Sequence, residues 1–240
     1  MKRTKIDIPL KKIKYIHHIS DVHIRNLKRH AEYEQVFERL YEKIKQNRED
    51  SIIYIGGDIA HSKTDMSPEL VDQTSRFLKS LSEICPTIVI TGNHDCNLNN
   101  LNRLDVLTPI INNLNLPNLH YLNRSGVYDI ADMSFVVWDV WEDEEDYIKA
   151  SDFEADTKVV LYHGTVDRSK TDVGFSLPGK VTIDYFDGYD LGLIGDIHKR
   201  QYLDKEKTIA YCGSLIQQNH GESIGPVSYT HLTLPTKALV

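Results

Sequence analysis

Carboxylates and imidazoles recur in this chain in a form suited to divalent cations. Asp21-Val22-His23, Asp58-Ile59-Ala60-His61, Asn93-His94-Asp95, His163-Gly164 and Asp196-Ile197-His198 offer oxygen and nitrogen donors, and none of them includes a sulfur. Such a set suits Mn²⁺, Fe or Zn²⁺, and its oxygen share leans toward harder ions than a structural cysteine site would hold. Eleven histidines are many for 240 residues, and several fall in these stretches. The donors also outnumber what one ion needs. Two ions about 3.5–4 Å apart and bridged by one carboxylate would use them, and such a pair stabilises both the attacking and the leaving oxygen of an in-line displacement at phosphorus. The chemistry indicated is phosphoester hydrolysis.

Each stretch follows an apolar or β-branched run that reads as a strand: 15–20, 51–55, 87–90, 158–162 and 191–194. The pair Gly56-Gly57 lets the backbone turn tightly and approach a ligand. Between the first three strands, Tyr33, Val36, Phe37, Leu40, Tyr41 and Ile44 recur at helical spacing over about 31–47. A second helix opens at Ser67-Pro68-Glu69, with Ser as cap and Pro in the first turn, and is closed by Pro86. This strand–helix alternation predicts that the first three clusters converge on one edge of a parallel sheet, at the carboxyl ends of its strands. In an extended segment residues two apart share a side, so Asp21 and His23 can share an ion.

The remaining stretches give weaker signals. Residues 2–14 form a basic lead-in, read as a solvated arm or the edge of the first strand. His17 and His18 lie within a strand and read as core or sheet-face residues. A short helix is expected over 104–113, a strand over 134–139 and a hairpin from 201–203 and 208–211. The acidic run 142–146 reads as a solvated face.

A hydrophobic content of 40% and a charged content of 26% are those of an ordinary globular protein, and no apolar run approaches a bilayer span. The three cysteines show no paired spacing, so a reducing cytosol is expected. The formal charge of −7 argues against a protein that grips nucleic acid unaided, although Arg25, Lys28, Arg29, Lys199 and Arg200 flank the motifs. One domain is expected over 1–225. Residues 226–240 show neither helical nor alternating periodicity, and part of them resembles a reading frame of a sequencing-library adapter. That tail is expected to be non-native and without regular structure.

In this order, Asp-X-His, Gly-Gly-Asp-X-X-His, Gly-Asn-His-Asp, His-Gly and Gly-Asp-X-His resemble the calcineurin-like metallophosphoesterase superfamily. Within it, residues 13–223 are most similar to the nuclease subunit of SbcC–SbcD-type double-strand-break repair complexes, including phage and viral counterparts. The resemblance implies an α/β (in part α+β) fold, a two-layered β-sandwich flanked by helices. It implies two divalent ions, Mn²⁺ foremost, with Mg²⁺, Fe or Zn²⁺ also compatible. Asp21, His23 and His198 would hold one ion, Asn93, His163 and Asp196 the other, and Asp58 would bridge them. His94, fixed by Asp95, would stabilise the transition state or protonate the leaving oxygen, and His61 would contact the phosphate. The nuclease branch commonly carries Gly-His-X-His at its last motif, where this chain has Asp196 in place of the first His. The implied activity is a DNA exonuclease or endonuclease in repair or recombination, with DNA as substrate, an SbcC-type ATPase as partner and a homodimer in the full-length protein. The expected location is cytoplasmic, in the nucleoid or an infected host cell, without membrane association. The alternative is a phosphodiesterase or phosphatase acting on a small molecule or phosphoprotein.

Overall fold

The computed structural model describes residues 1–218 and the backbone of residues 230–233. Among the described residues the chain runs β1 (Arg3–Ile6), β2 (Tyr15–Ile19), α1 (His30–Lys45), β3 (Ser51–Ile55), α2 (Pro68–Ile84), β4 (Thr87–Val89), α3 (Leu107–Leu114), β5 (Leu119–Tyr121), β6 (Gly126–Ile130) and β7 (Met133–Trp138). It continues through β8 (Lys158–His163), β9 (Leu191–Gly195), β10 (Gln201–Tyr202), β11 (Ile209–Tyr211) and β12 (Thr230–Thr233).

Two sheets result, ordered β1-β6-β7-β8-β9-β11-β10 and β12-β2-β3-β4-β5. In the smaller sheet β2, β3, β4 and β5 are parallel, and in the larger one β7, β8 and β9 are parallel. The side-chain period of two along each strand divides the core into layers. Ile52 and Tyr54 of β3 meet Phe135 and Val137 of β7 and Val159 and Leu161 of β8 between the sheets. Ile53 and Ile55 turn the other way, onto the apolar faces of α1 and α2. On the far side of the larger sheet, Val136, Trp138, Val160 and Tyr162 are covered by Tyr147, Phe153, Phe186 and Tyr189 from loops and single 3-10 turns. The sandwich flanked by helices is therefore the observed architecture.

Local sequence explains most boundaries. The Ser67 hydroxyl accepts from the Leu70 N–H at 3.2 Å, capping α2 one residue before Pro68. α3 begins three residues later than expected, because Asp105 accepts the Leu107 and Thr108 N–H groups at 2.9 and 2.6 Å and sets the start there. The basic lead-in contains a true strand: β1 pairs in parallel with β6 at the edge of the larger sheet. Thr230–Thr233, expected to be irregular, pair antiparallel with β2, which would otherwise be an open edge for any short extended segment. The other residues of the expected 226–240 tail, and the boundary near 225, lie outside the described residues.

Candidate metal centre

All five exits converge, from two sheets. The turns after β2, β3 and β4 meet those after β8 and β9 where the two sheets come together. The first two exits remain laced to one another beyond their strands, with Asp21 N–H on Gly57 O at 3.2 Å, His23 N–H on Asp58 O at 2.9 Å and Ile24 N–H on Ile59 O at 2.8 Å. This lacing holds an uncommon backbone. Asp21, His23, Asp58 and Asp196 have φ of 53, 47, 54 and 97°, in the left-handed region that non-glycine residues rarely occupy. Each such residue costs on the order of 1–3 kcal/mol, sustained by the surrounding fold, and this is common where side chains must be aimed at a ligand. Asp21 and His23 do come together as expected, but from left-handed turns and not from an extended segment.

The donors form overlapping groups whose ligand atoms lie within 4.8 Å of one another: Asp21, His23 and His198; Asp21, Asp58 and His163; and His23, His61 and His94. Asp58 faces two ways. Its Oδ2 lies 3.5 Å from His23 Nε2, and its Oδ1 lies 3.4 Å from His163 Nε2. His163 is aimed by its other nitrogen, which lies 2.6 Å from Gly56 O, so Nδ1–H donates there and Nε2 is turned to Asn93 Oδ1 at 3.1 Å. His23 Nε2 and His198 Nε2 stand 3.1 Å apart, beside Asp21 Oδ1 at 3.9 and 4.0 Å. Glycine is required where these groups crowd: a Cβ on Gly92 would lie 2.1 Å from Asp58 Oδ1, and Gly57 has φ 88°.

Asp196 stands apart from these groups. Its carboxylate accepts from Thr165 Oγ1 at 2.8 Å, and its N–H points to both oxygens of Asp21 at 3.2 Å. The expected service of Asp95 to His94 is corrected by the structure. Asp95 is fully buried and accepts three backbone N–H groups, from Asp58 at 2.8 Å, Ala60 at 2.9 Å and Gly92 at 3.0 Å. It therefore ties the β3 exit to the β4 exit. His94 is held instead by its Nδ1, 2.9 Å from His61 O, while its ring stacks on that of His61 at 5.7 Å. Three residues that sequence reasoning left unassigned support the centre: Ser20 Oγ donates to Gly56 O, Tyr33 Oη to His23 O, and Thr165 to Asp196. Tyr33 reads as core on its helical spacing alone, and nothing in its position marks the hydroxyl.

Electrostatics test whether cations fit. Burial pushes the Asp21 carboxyl up to about 6 and pushes the His23 imidazole down to about 3. Burial acts upward on Asp58 too, but the charge and hydrogen bond of His163, with His23, outweigh it and hold Asp58 below the usual carboxylate range. For His163 burial opposes the proton, yet Asp58, Asp21 and Asp196 raise the imidazole well above its ordinary value. Two buried carboxylates thus crowd one buried imidazole at a point where a cation would compensate their charge. The residues present fit a pair of divalent ions.

The class that this sandwich and its donor set define is a metal-dependent phosphoester hydrolase. The chain matches the calcineurin-like phosphoesterase family along residues 14–200, and it belongs to that family. It is also 49% identical over 226 residues to an uncharacterized protein of Acanthamoeba polyphaga mimivirus, an alignment covering 88% of this chain and 17% of that relative. The chain therefore spans about a sixth of the length of the relative it matches. No helix among the described residues is long and apolar enough to cross a membrane.

Proposed function

We propose that the chain is a DNA nuclease of the SbcC–SbcD type. The observation that carries the hydrolytic chemistry is the two-sided placement of Asp58, with one carboxylate oxygen toward the His23–His198 side and the other toward His163 and Asn93. Asp21, His23 and His198 would hold one ion, Asn93 and His163 with Asp196 the other, and Asp58 both. When bound, the ions supply Lewis-acid stabilisation of charge at phosphorus and activation of water at neutral pH. The protein's own groups do the rest. His94 keeps its Nδ1–H on His61 O, and as the imidazolium it would carry on Nε2 the proton given to the leaving oxygen. Burial, with Arg25 nearby, lowers the His61 imidazole below its ordinary value, which favours its meeting the phosphate as a hydrogen-bonding group. Mn²⁺ is the ion proposed, on the oxygen share of the donors.

The nuclease reading, with an ATPase partner and a homodimer of the full-length protein, rests on the ordered motif set. Fewer cations are available to a DNA backbone than the sequence suggests. Arg29 donates to Gln217 O and to Glu32, and Arg25 donates to Gln218 O, so both are engaged in holding the segment after β11. The charge of −7 favours the second reading, a phosphodiesterase or phosphatase for a small or protein substrate. The test is Mn²⁺-dependent hydrolysis of linear duplex and single-stranded DNA beside bis-p-nitrophenyl phosphate and a phosphopeptide. Cleavage of DNA into nucleotides or short fragments supports the nuclease. Turnover of the small substrates with DNA left intact would overturn it in favour of the alternative.

A further inference from the structure

Between β8 and β9 the chain makes a small hairpin whose tip is apolar and exposed. Val173 is 80% exposed and Phe175 66%, and a side chain placed on Gly174 would meet nothing within 4 Å. An apolar pair held in water gives no folding benefit, yet this tip is ordered by its own hydrogen bonds. Thr171 N–H donates to Phe175 O at 2.9 Å, Gly174 N–H to Thr171 O at 2.9 Å, and Phe175 N–H to Thr171 Oγ1 at 3.1 Å.

The base of the hairpin is fastened to the segment that leaves the metal centre. Lys199, next to His198, donates from Nζ to Thr171 O at 3.3 Å. Gln201 exchanges two bonds with the backbone of Lys170, accepting its N–H and donating to its carbonyl, each at 2.9 Å. A few residues earlier on the same arm, Thr165 holds Asp196. The first arm of the hairpin is thus fastened to the segment that follows the centre, and it carries Arg168, paired with Asp167 at 3.4 Å, and Lys170, with Lys199 reaching it from across and Asp172 at the turn.

We infer that this tip is a stacking platform for an unpaired nucleobase of a strand whose phosphate lies at the metal centre, with Phe175 against the base. The inference rests on the nuclease reading above and gives it a substrate feature, a single-stranded end or gap. Cationic groups beside an exposed aromatic ring are the combination that holds single strands without regard to sequence: the cations track phosphates, and the ring takes any base face. A phosphopeptide or a small phosphodiester offers no such face.

The test is anisotropy of a labelled, cleavage-resistant phosphorothioate single-stranded 12-mer with the Mn²⁺-loaded chain, repeated with an abasic oligomer of equal length and charge. Metal uptake and melting temperature of each variant show whether the fold and centre are intact. Phe175→Ala should weaken binding of the normal oligomer by roughly 5- to 100-fold, the scale of one lost base–aromatic stack. Phe175→Trp should retain binding, and its indole emission should be quenched by the normal oligomer and not by the abasic one. The parent chain should hold the abasic oligomer as weakly as Phe175→Ala holds the normal one. Equal affinity of Phe175→Ala and parent, or no preference for bases over abasic sites, would overturn the inference and leave the tip to a protein partner. Cleavage assays separate the two readings. DNA cut by a chain indifferent to Phe175 sinks the platform alone, and Phe175-dependent binding without DNA cleavage sinks the nuclease alone.

Discussion

Asp58 and Asp95 at the floor of the centre and His61 and His94 at its rim differ in how the fold holds them. The floor carboxylates are buried, and Asp95 is fixed by three main-chain donors while Asp58 accepts the His94 N–H at 2.8 Å. The rim imidazoles are partly exposed and rest on each other and on one carbonyl. On the proposed reading, floor residues would answer for whether ions are held, and rim residues for what happens to a substrate once they are. Substitutions should separate the two.

The largest effect is expected from Asp58→Ala. One carboxylate faces both donor groups, so elemental analysis should find both ions lost, with hydrolysis reduced about 10³-fold or more as several kcal/mol of charge stabilisation vanish. Two ions retained would show that Asp58 does not bridge. His94→Ala should keep the metal content while turnover falls roughly 10²–10⁴-fold, the scale of a lost general acid. If the metal disappeared along with turnover, His94 would belong to the floor.

A smaller and mainly structural effect is expected from Gly92→Ala, whose new methyl would sit 2.1 Å from Asp58 Oδ1. Destabilisation of about 1–3 kcal/mol and weaker ion binding should appear together in urea melts and metal titrations. An unchanged metal affinity would show that Asp58 can move without consequence.

The mildest test lies beneath the floor, at His18. Its ring is fully buried against Tyr54, neither nitrogen has a hydrogen-bond partner among the described residues, and burial lowers it from 6.5 to about 3. Between those values the unfolded chain takes up a proton and the folded chain does not. The stability associated with neutral His18 is therefore whole above pH 6.5 and is lost as pH falls, by at most about 1.4 kcal/mol per pH unit. His18→Leu should remove that part of the slope between pH 6 and pH 4. Parallel stability curves for the two proteins would mean that His18 is hydrated or paired.

The sequence shows the floor and rim donors but not the difference between them. Asp21, Asp58, Asn93, His163 and His198 are legible because each follows an apolar run, and a strand's end is a position that sequence can mark. That Asp95 serves three amides and not His94 depends on where the β3 exit lies in space, which no spacing encodes. The left-handed backbone of Asp21, His23 and Asp58 is equally silent, since Asp and His carry no glycine-like signature. Among the elements, β5 and β6 escape notice: Leu119–Tyr121 is too short to show a period, and Gly126–Ile130 begins on glycine and carries Asp129. Their strand character comes from neighbours that are already paired, β4 and β7.

The distance along the chain between donors also bears on biosynthesis. His23 and His198 touch across 175 residues, and the donors between them come from both sheets. Contacts of that sequence separation pay their loop-closure entropy late and form only when the topology is nearly complete. A nascent chain that has displayed its first three exits still lacks His163 and His198, and it cannot assemble the centre from what has emerged. Hydrolytic competence is therefore a property of the finished fold, and a partly folded or prematurely ended chain carries the motifs without the centre.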